Sequence, residues 1–292
     1  MNLLFYLGDC RNYLKNMDDK SIDFIAIDPP YGVDQMNHAW NNEKILSSLQ
    51  DSKKECCAVK NIPVGMKFDV KSAVKLGEFL VPIANQLNRV LKPGGFCIVF
   101  SQPRASHHVA LAFENAGFEI RDHLIWDYGA GQGKAQGVQN FIRKNRKFCK
   151  KEKEILIKKL EGLKTPQLTP TFETLWLCQK KKEGTFVENY LTYGVGLVDF
   201  KNGNKKVRFS HRKPQSKERQ EAGRHPTLKP VSLMKDLIET FCPEGKVVLD
   251  CFAGAGTTGV AAKLSNRDFI GIEKEEMWYN IMKERVENTR LG

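Results

Sequence analysis

The sequence predicts an α/β protein built on a doubly wound, mostly parallel sheet of seven strands. Three observations lead there. Short apolar runs rich in β-branched and aromatic residues alternate with stretches of helical periodicity, the pattern of strands joined by crossover helices. Two of those runs stop abruptly in chemistry-bearing residues: Asp28-Pro29-Pro30-Tyr31 closes "IDFIAI", and a glycine-rich turn follows "KVVLD". A hydrophobic content of 41% over 292 residues supplies a sizeable core, enough for one large domain with insertions or two small ones.

Taken in order, "LLFYL" (3–7) reads as the first strand; Asp9 interrupts it early, and it has neither a basic leader nor a small-residue cleavage site, so it is not read as a signal peptide. "IDFIAI" (22–27) is five-sixths apolar and reads as a buried strand. A helix is expected over 73–91, ended by the turn "KPGG" (92–95), which leads into the strand "FCIVFS" (96–101). A helix over 104–116 and the strand "DHLIWDY" (122–128) follow, then "FETLWLC" (172–178). The last third reads as helix 230–241, strand "KVVLD" (246–250), helix 257–265, strand "DFIGIE" (268–273) and helix 275–289.

Two stretches break this rhythm. Residues 32–70 have no clear periodicity. Residues 129–170 open on "GAGQGKAQG" and continue into a basic, helix-like piece whose Leu156, Leu160 and Leu163 share one face, expected to pack on the body of the protein. The glycine-rich opening suits a lid near the site or a plain surface loop.

The net charge of +12 is concentrated. Residues 141–165 carry ten Lys/Arg against three Glu, and residues 180–224 twelve against five Asp/Glu, so each segment has a net charge of +7. A basic excess confined to two segments of a near-neutral body suggests a polyanion-binding face, nucleic acid above all. "RFSHRKPQSKERQ" (208–220) is cationic and polar, as phosphate contacts require, and Lys205, Lys206, Arg208, Arg212 and Lys213 are the candidate nucleic-acid contacts. The eight cysteines are scattered without C-x-x-C spacing, which indicates neither a zinc site nor a disulfide framework and points to a reducing cytoplasm. No metal ligand set stands out: His107-His108 lacks an acid or thiol partner at metal spacing and reads as a helix-surface pair. No apolar run is long enough to span a bilayer.

"VVLDCFAGAGTTGVAA" (247–262) is a strand, a glycine turn and a helix start. Gly254, Gly256 and Gly259 satisfy G-x-G-x-x-G, and Glu273 ends the next strand nineteen residues after Gly254. That spacing suits an adenosine-containing cofactor, with backbone approaching the ligand and an acid receiving ribose hydroxyls. Two details favour S-adenosylmethionine over a dinucleotide. Asp250 would sit poorly beside a pyrophosphate but well near an ammonium group, and the Phe252-Ala253-Gly254 spacing departs from the dinucleotide pattern, in which glycine follows the strand directly. Phe252, Ala253, Gly254, Gly256, Thr257, Thr258, Asp250 and Glu273 are the expected cofactor contacts.

With Asp28-Pro29-Pro30-Tyr31 at another strand tip, the chain resembles the amino-group DNA methyltransferases, whose cofactor motif is F-x-G-x-G and whose catalytic motif is D/N/S-P-P-Y/F. The catalytic motif comes first, with a basic region between the two, as in the permuted order of the β class. The resemblance implies a circularly permuted S-adenosylmethionine-dependent methyltransferase fold whose termini lie close together. It also places Gly8-Asp9, with Cys10, near the cofactor adenine, and Thr227 and Lys229 of "HPTLKP" (225–230) at its methionine end. Asp28 borders both cofactor and target.

The chemistry fits the motif. An exocyclic amine is a poor nucleophile because its lone pair is delocalised into the base. Asp28 and the Pro29 carbonyl can each accept one of its N–H bonds, drawing the nitrogen toward tetrahedral geometry. Pro29 and Pro30 fix φ and remove competing donors. Tyr31 offers a face for a base extruded from the duplex, and Trp40 is either a base or DNA contact or plain packing. The expected organisation is a catalytic half (1–128), a basic insertion (129–171), a core strand (172–180), a target-recognition region (181–224) and a cofactor half (225–292). The expected activity is methylation of adenine N6 in double-stranded DNA, the preference for adenine coming from the resemblance, since aspartate versions of the motif mostly modify adenine. Cytosine N4 methylation is the alternative for the base, methylation of RNA or of a protein side-chain amide the closest rival within the enzyme class, and a catalytically dead DNA-binding protein of the same fold the rival from another class. A homodimer and a cognate restriction endonuclease are further partners that such relatives suggest.

Overall fold

The computed structural model describes residues 1–30 and 70–290 except 132, 134, 167 and 202. Tyr31, Gly32, Trp40 and residues 32–69 of the first aperiodic stretch lie outside the described residues.

All seven expected strands form and lie in one sheet: β1 (Leu3–Leu7), β2 (Ile22–Ile27), β3 (Leu91–Ser101), β4 (Phe118–Asp127), β5 (Phe172–Lys180), β7 (Val247–Asp250) and β8 (Asp268–Glu273). An eighth, β6 (Arg208–Ser210), joins at the edge, giving the order β1-β8-β7-β2-β3-β5-β4-β6. Every pairing is parallel except those of β5, which runs against both β3 and β4. The sequence hides β6 because three residues among cations carry no periodicity; only pairing with Ile125–Asp127 of β4 makes it a strand. "KPGG" does more than end a helix. It is the start of β3, with Leu91 paired to Ile22 and the register slipping before Phe24 meets Phe96.

The strands are buried on both faces, which is why they read as continuous apolar runs. Phe24 and Ala26 of β2, with Phe96, Ile98 and Phe100 of β3, join one core cluster; Ile25, Ile27, Cys97 and Val99 join the other. The long helix α2 (Val70–Val90) and α3 (Ser106–Asn115) cover the second face. Helices α8 (Val231–Phe241), α9 (Thr257–Leu264) and α10 (Glu276–Glu287) cover the first. The short α1 (Cys10–Leu14) follows β1, while α4 (Val138–Lys144), α5 (Lys150–Lys159), α6 (Phe186–Tyr193) and α7 (Ser216–Glu221) complete the described helices. None of the described helices is long and apolar enough to cross a membrane.

The first and last strands are neighbours. Asn2 donates its N–H to Asp268 at 2.7 Å and accepts from the Phe269 N–H at 3.0 Å, and α10 packs against β1. The chain order reverses between β7 and β2, whose carboxyl ends therefore open a crevice, the place where doubly wound sheets bind ligands.

Candidate active site

A cavity of about 470 Å³ occupies that crevice. Asp28, Pro29 and Pro30 at the tip of β2 line one side; Asp250 to Ala255, Thr257 and Thr258, at the tip of β7 and the start of α9, line the other. Gly8, Asp9 and Cys10 close the end beyond β8, where the Gly8 N–H donates to the Glu273 carbonyl at 2.8 Å. Two motifs more than 200 residues apart thus face each other across one opening.

The glycine turn is fastened by its own acids. Asp250 accepts from the Phe252 N–H at 3.0 Å and the Thr258 hydroxyl at 2.5 Å. Burial pushes its carboxyl up to about 7, against the pull of those hydrogen bonds, and the nearby charges of Asp28 and Glu273 add to the rise. Such a carboxyl gains from a cation placed beside it, which fits the ammonium expected there. Glu273 accepts the Gly254 and Glu275 N–H groups, each at 2.8 Å, and burial raises its carboxyl too. Two carboxylate oxygens have capacity beyond two such bonds, so ribose hydroxyls can still be received. Asp9 caps α1 and is held by Arg11, whose side-chain hydrogen bonds keep its carboxyl below the usual range.

Gly254 and Gly256 both have positive φ, 51° and 79°. A Cβ on Gly254 would come within 3.1 Å of His225 Nε2; one on Gly256 would come within 2.9 Å of Met282 Cγ. The first collision of a side chain at Gly256 is therefore with α10.

Lys229 lies between two carboxylates. Its Nζ is 2.5 Å from Asp28 Oδ2 and 3.2 Å from Glu173 Oε2, with the Phe100 ring centroid 5.0 Å away. Burial works against its charge, yet Asp28 and Glu173 outweigh it and hold the ammonium above its ordinary range. Thr227 lines the same cavity, as expected, and is exposed. His225 packs edge-on against Trp278 at 4.5 Å, and burial first, then the positive charges of Lys229 and Arg285, depress its imidazole to about 3, leaving it neutral.

Glu173, Trp278, Phe79 and Gln102 also line the cavity without any sequence motif that points to them, and His225 lines it as well. Glu173 opens an ordinary-looking strand, and only the antiparallel direction of β5 brings its first residues to this edge. His225 begins "HPTLKP", so that segment held the one available signal.

The basic segments divide. Residues 129–171 leave from the tip of β4 and return at the start of β5, where Asp127 pairs with Phe172, so the insertion springs from the active-site edge. Its helices α4 and α5 are tied within the insertion, as by Gln139 donating to the Leu160 carbonyl at 2.9 Å and Lys153 to the Arg143 carbonyl at 3.1 Å. The expected apolar stripe does not bury itself: Leu163 is 55% exposed and α5 has no buried residue. Gly131 lies against the Pro170 carbonyl, and Gly129 faces open space. His107 is exposed beside half-buried His108, and no group of three or more candidate metal ligands occurs among the described residues.

Lys205, Lys206, Arg208, Arg212 and Lys213 are all exposed, but β6 separates them. Lys205 and Lys206 precede it, near Thr240 at the far end of α8, where the Asn204 N–H donates to the Thr240 hydroxyl at 2.9 Å. Arg208 is clamped on Asp127 and is less available to a phosphate than the sequence suggested. Arg212 and Lys213 follow β6 on the cavity edge, anchored by His211, whose ring contacts Ser232 and Asp236 at 3.1 Å each. Lys213 Nζ lies 3.9 Å over the Tyr128 ring. Neutralising Arg212 and Lys213 is therefore expected to weaken duplex binding more than neutralising Lys205 and Lys206. Each lost phosphate contact should flatten the slope of log affinity against log salt by about 0.9. Titrations of duplex binding at several salt concentrations check this, and equal effects would place the duplex across both ends of α8.

Comparison with known proteins agrees with this geometry. A family model described as DNA methylase, of the N6/N4 methyltransferase group, matches residues 22–284. The Type II methyltransferase M.HindIII of Haemophilus influenzae is 31% identical over 297 residues, spanning 96% of this chain and 94% of that protein. M2.DpnII of Streptococcus pneumoniae is 26% identical, spanning 96% and 88%. Among solved structures, the M1.HpyAVI–SAM complex superposes with a TM-score of 0.59 at 20% identity, covering 97% of this chain and 98% of that one. The cytosine-N4-specific PvuII DNA methyltransferase gives 0.62 at 14% identity, covering 100% and 89%. With two strand-tip motifs meeting on one sheet edge and a match along nearly the whole chain, the protein belongs to the N6/N4 DNA methylase family.

Proposed function

We propose that this protein methylates the exocyclic N6 of adenine in duplex DNA, on a base swung out of the helix into the cavity beside Asp28. The observation that carries the reading is the position of Asp28. Its carboxylate stands at a strand tip in the same 470 Å³ cavity as the glycine turn, with Pro29 and Pro30 beside it. The cofactor is S-adenosylmethionine, which supplies a methyl group already activated on a sulfonium. The residues of the chain then have two tasks. The turn at 252–258, Glu273 and Asp9 hold the cofactor, with Asp250 toward its ammonium. Asp28 and the Pro29 carbonyl accept the two N–H bonds of the target amine and aim its lone pair. The amine nitrogen gains the methyl group as the sulfur–methyl bond breaks, leaving a neutral thioether, and loses one proton along the hydrogen bond to its acceptor. Because the methyl donor is activated, alignment matters more than a strong base.

Duplex DNA as substrate is supported by the two segments of net charge +7, one springing from the cavity edge and the other reaching it at Arg212 and Lys213. Adenine is favoured by the aspartate of the motif, since aspartate versions mostly modify adenine. Digestion of methylated DNA to nucleosides, followed by mass spectrometry, tests the choice. N6-methyladenosine as the sole product is expected; N4-methylcytidine as the main product would overturn the assignment of the base.

A further inference from the structure

Lys229 reaches from the loop before α8 to carboxylates on two strands that are not neighbours, Asp28 on β2 and Glu173 on β5, bridging over Phe100 of the intervening β3. Only 7% of its side chain is exposed. A buried ammonium is costly unless it is paired, and here three elements converge to pair it. Glu173 holds the lysine from the side away from Asp28.

We propose that Lys229 is a positioning residue for methyl transfer, keeping the Asp28 carboxylate ionised and fixed in one orientation, with Glu173 as the anchor that fixes the lysine. The proposal rests on the role given to Asp28 above. With Oδ2 held by Lys229, the carboxylate is fixed in one orientation, so the lysine decides where the lone pair is aimed. It also opposes the field of the acids that face Asp28. Among the described residues, Asp250 and Glu273 stand across the cavity, Glu173 pairs with the lysine, and His225, which the lysine's charge helps depress, is neutral. Like charges favour protonation of a carboxylate, and a protonated oxygen is a poorer acceptor for an N–H bond. The lysine makes and breaks no bond in the reaction.

The test uses Lys229→Met, Lys229→Arg and the double variant Lys229→Met/Glu173→Gln. Methyl incorporation into unmodified genomic DNA is followed across pH, S-adenosylmethionine affinity is measured by calorimetry, and melting is recorded for each variant. For Lys229→Met, turnover at neutral pH is expected to fall roughly 10–100-fold, as it does when a supporting partner of a reactive group is removed. The acid limb of its pH profile should move up by about 1–3 units, the effect of losing an adjacent opposite charge. Lys229→Arg should recover part of both, and cofactor affinity should stay within a few-fold of wild type. If Lys229→Met does not fold, the double variant, which leaves no uncompensated charge at Glu173, gives the same readings. An unmoved pH profile with much weaker cofactor binding would overturn the proposal and return Lys229 to the methionine end of the cofactor. Asp28→Ala run in parallel separates the two levels. If it retains turnover, the role of Asp28 itself falls. If it is inactive while Lys229→Met keeps the wild-type profile, only the lysine inference falls.

Discussion

Asp28→Ala is expected to slow methyl transfer by roughly 10²–10³-fold, the usual cost of deleting one preorganised hydrogen-bonding group at a reacting centre. Its cofactor affinity should change by no more than a few-fold. The two effects separate because the contacts that hold the cofactor come from other elements: the turn after β7, Glu273 on β8 and Asp9 after β1. Removing the carboxylate does not strand Lys229, which keeps Glu173 at 3.2 Å, so the fold should survive. Asp28→Asn is the informative companion. It retains an oxygen acceptor but loses the charge that Lys229 pairs with, and it should lie between alanine and wild type. Single-turnover methylation together with calorimetry of cofactor binding gives both quantities. Near wild-type turnover in Asp28→Ala would remove the residue from the reaction.

Gly256→Val is expected to destabilise the protein by about 3–5 kcal/mol, combining overpacking against α10 with a left-handed backbone imposed on a branched side chain. Gly256 has φ 79°, and an added Cβ would lie 2.9 Å from Met282 Cγ and 3.0 Å from Met282 Cα. The second distance is to backbone, so a change of rotamer cannot relieve it. For a chain of this size the melting temperature should fall by roughly 10 °C, and cofactor binding should fail because the turn is displaced. Gly256→Ala should show the same effect to a smaller degree. Urea unfolding and thermal melting measure it. A variant that melts normally but no longer binds cofactor would mean that the side chain blocks the ligand directly.

The legible parts of this protein are those in which local pattern and fold coincide. "IDFIAI" and "FCIVFS" are buried on both faces, so the apolar run itself identified them, and the helix expected over 257–265 formed at Thr257–Leu264 because the glycine turn marks its start. Asp28, Asp250 and Glu273 were found because each ends such a strand. Other parts had no local mark. Glu173 is one acid in a strand, and β6 is three residues held by pairing alone. The apolar stripe of Leu156, Leu160 and Leu163 has the right spacing to bury itself, but the first two are only half-buried and Leu163 stays in solvent.

By itself, then, the sequence determined the alternating α/β pattern, the seven main strands, the two motifs and where the positive charge is concentrated, since each depends on residue type and spacing within a few neighbours. The tertiary structure decided what those residues meet. It put Lys229 between Asp28 and Glu173 rather than simply beside the cofactor, set Gly256 against Met282, clamped Arg208 on Asp127 and divided the lysines and arginines around β6. Those outcomes depend on strand order and strand direction. Contacts such as that of Asp28 with Lys229, 201 positions apart, arise only when the whole sheet closes, and no short window of sequence contains them.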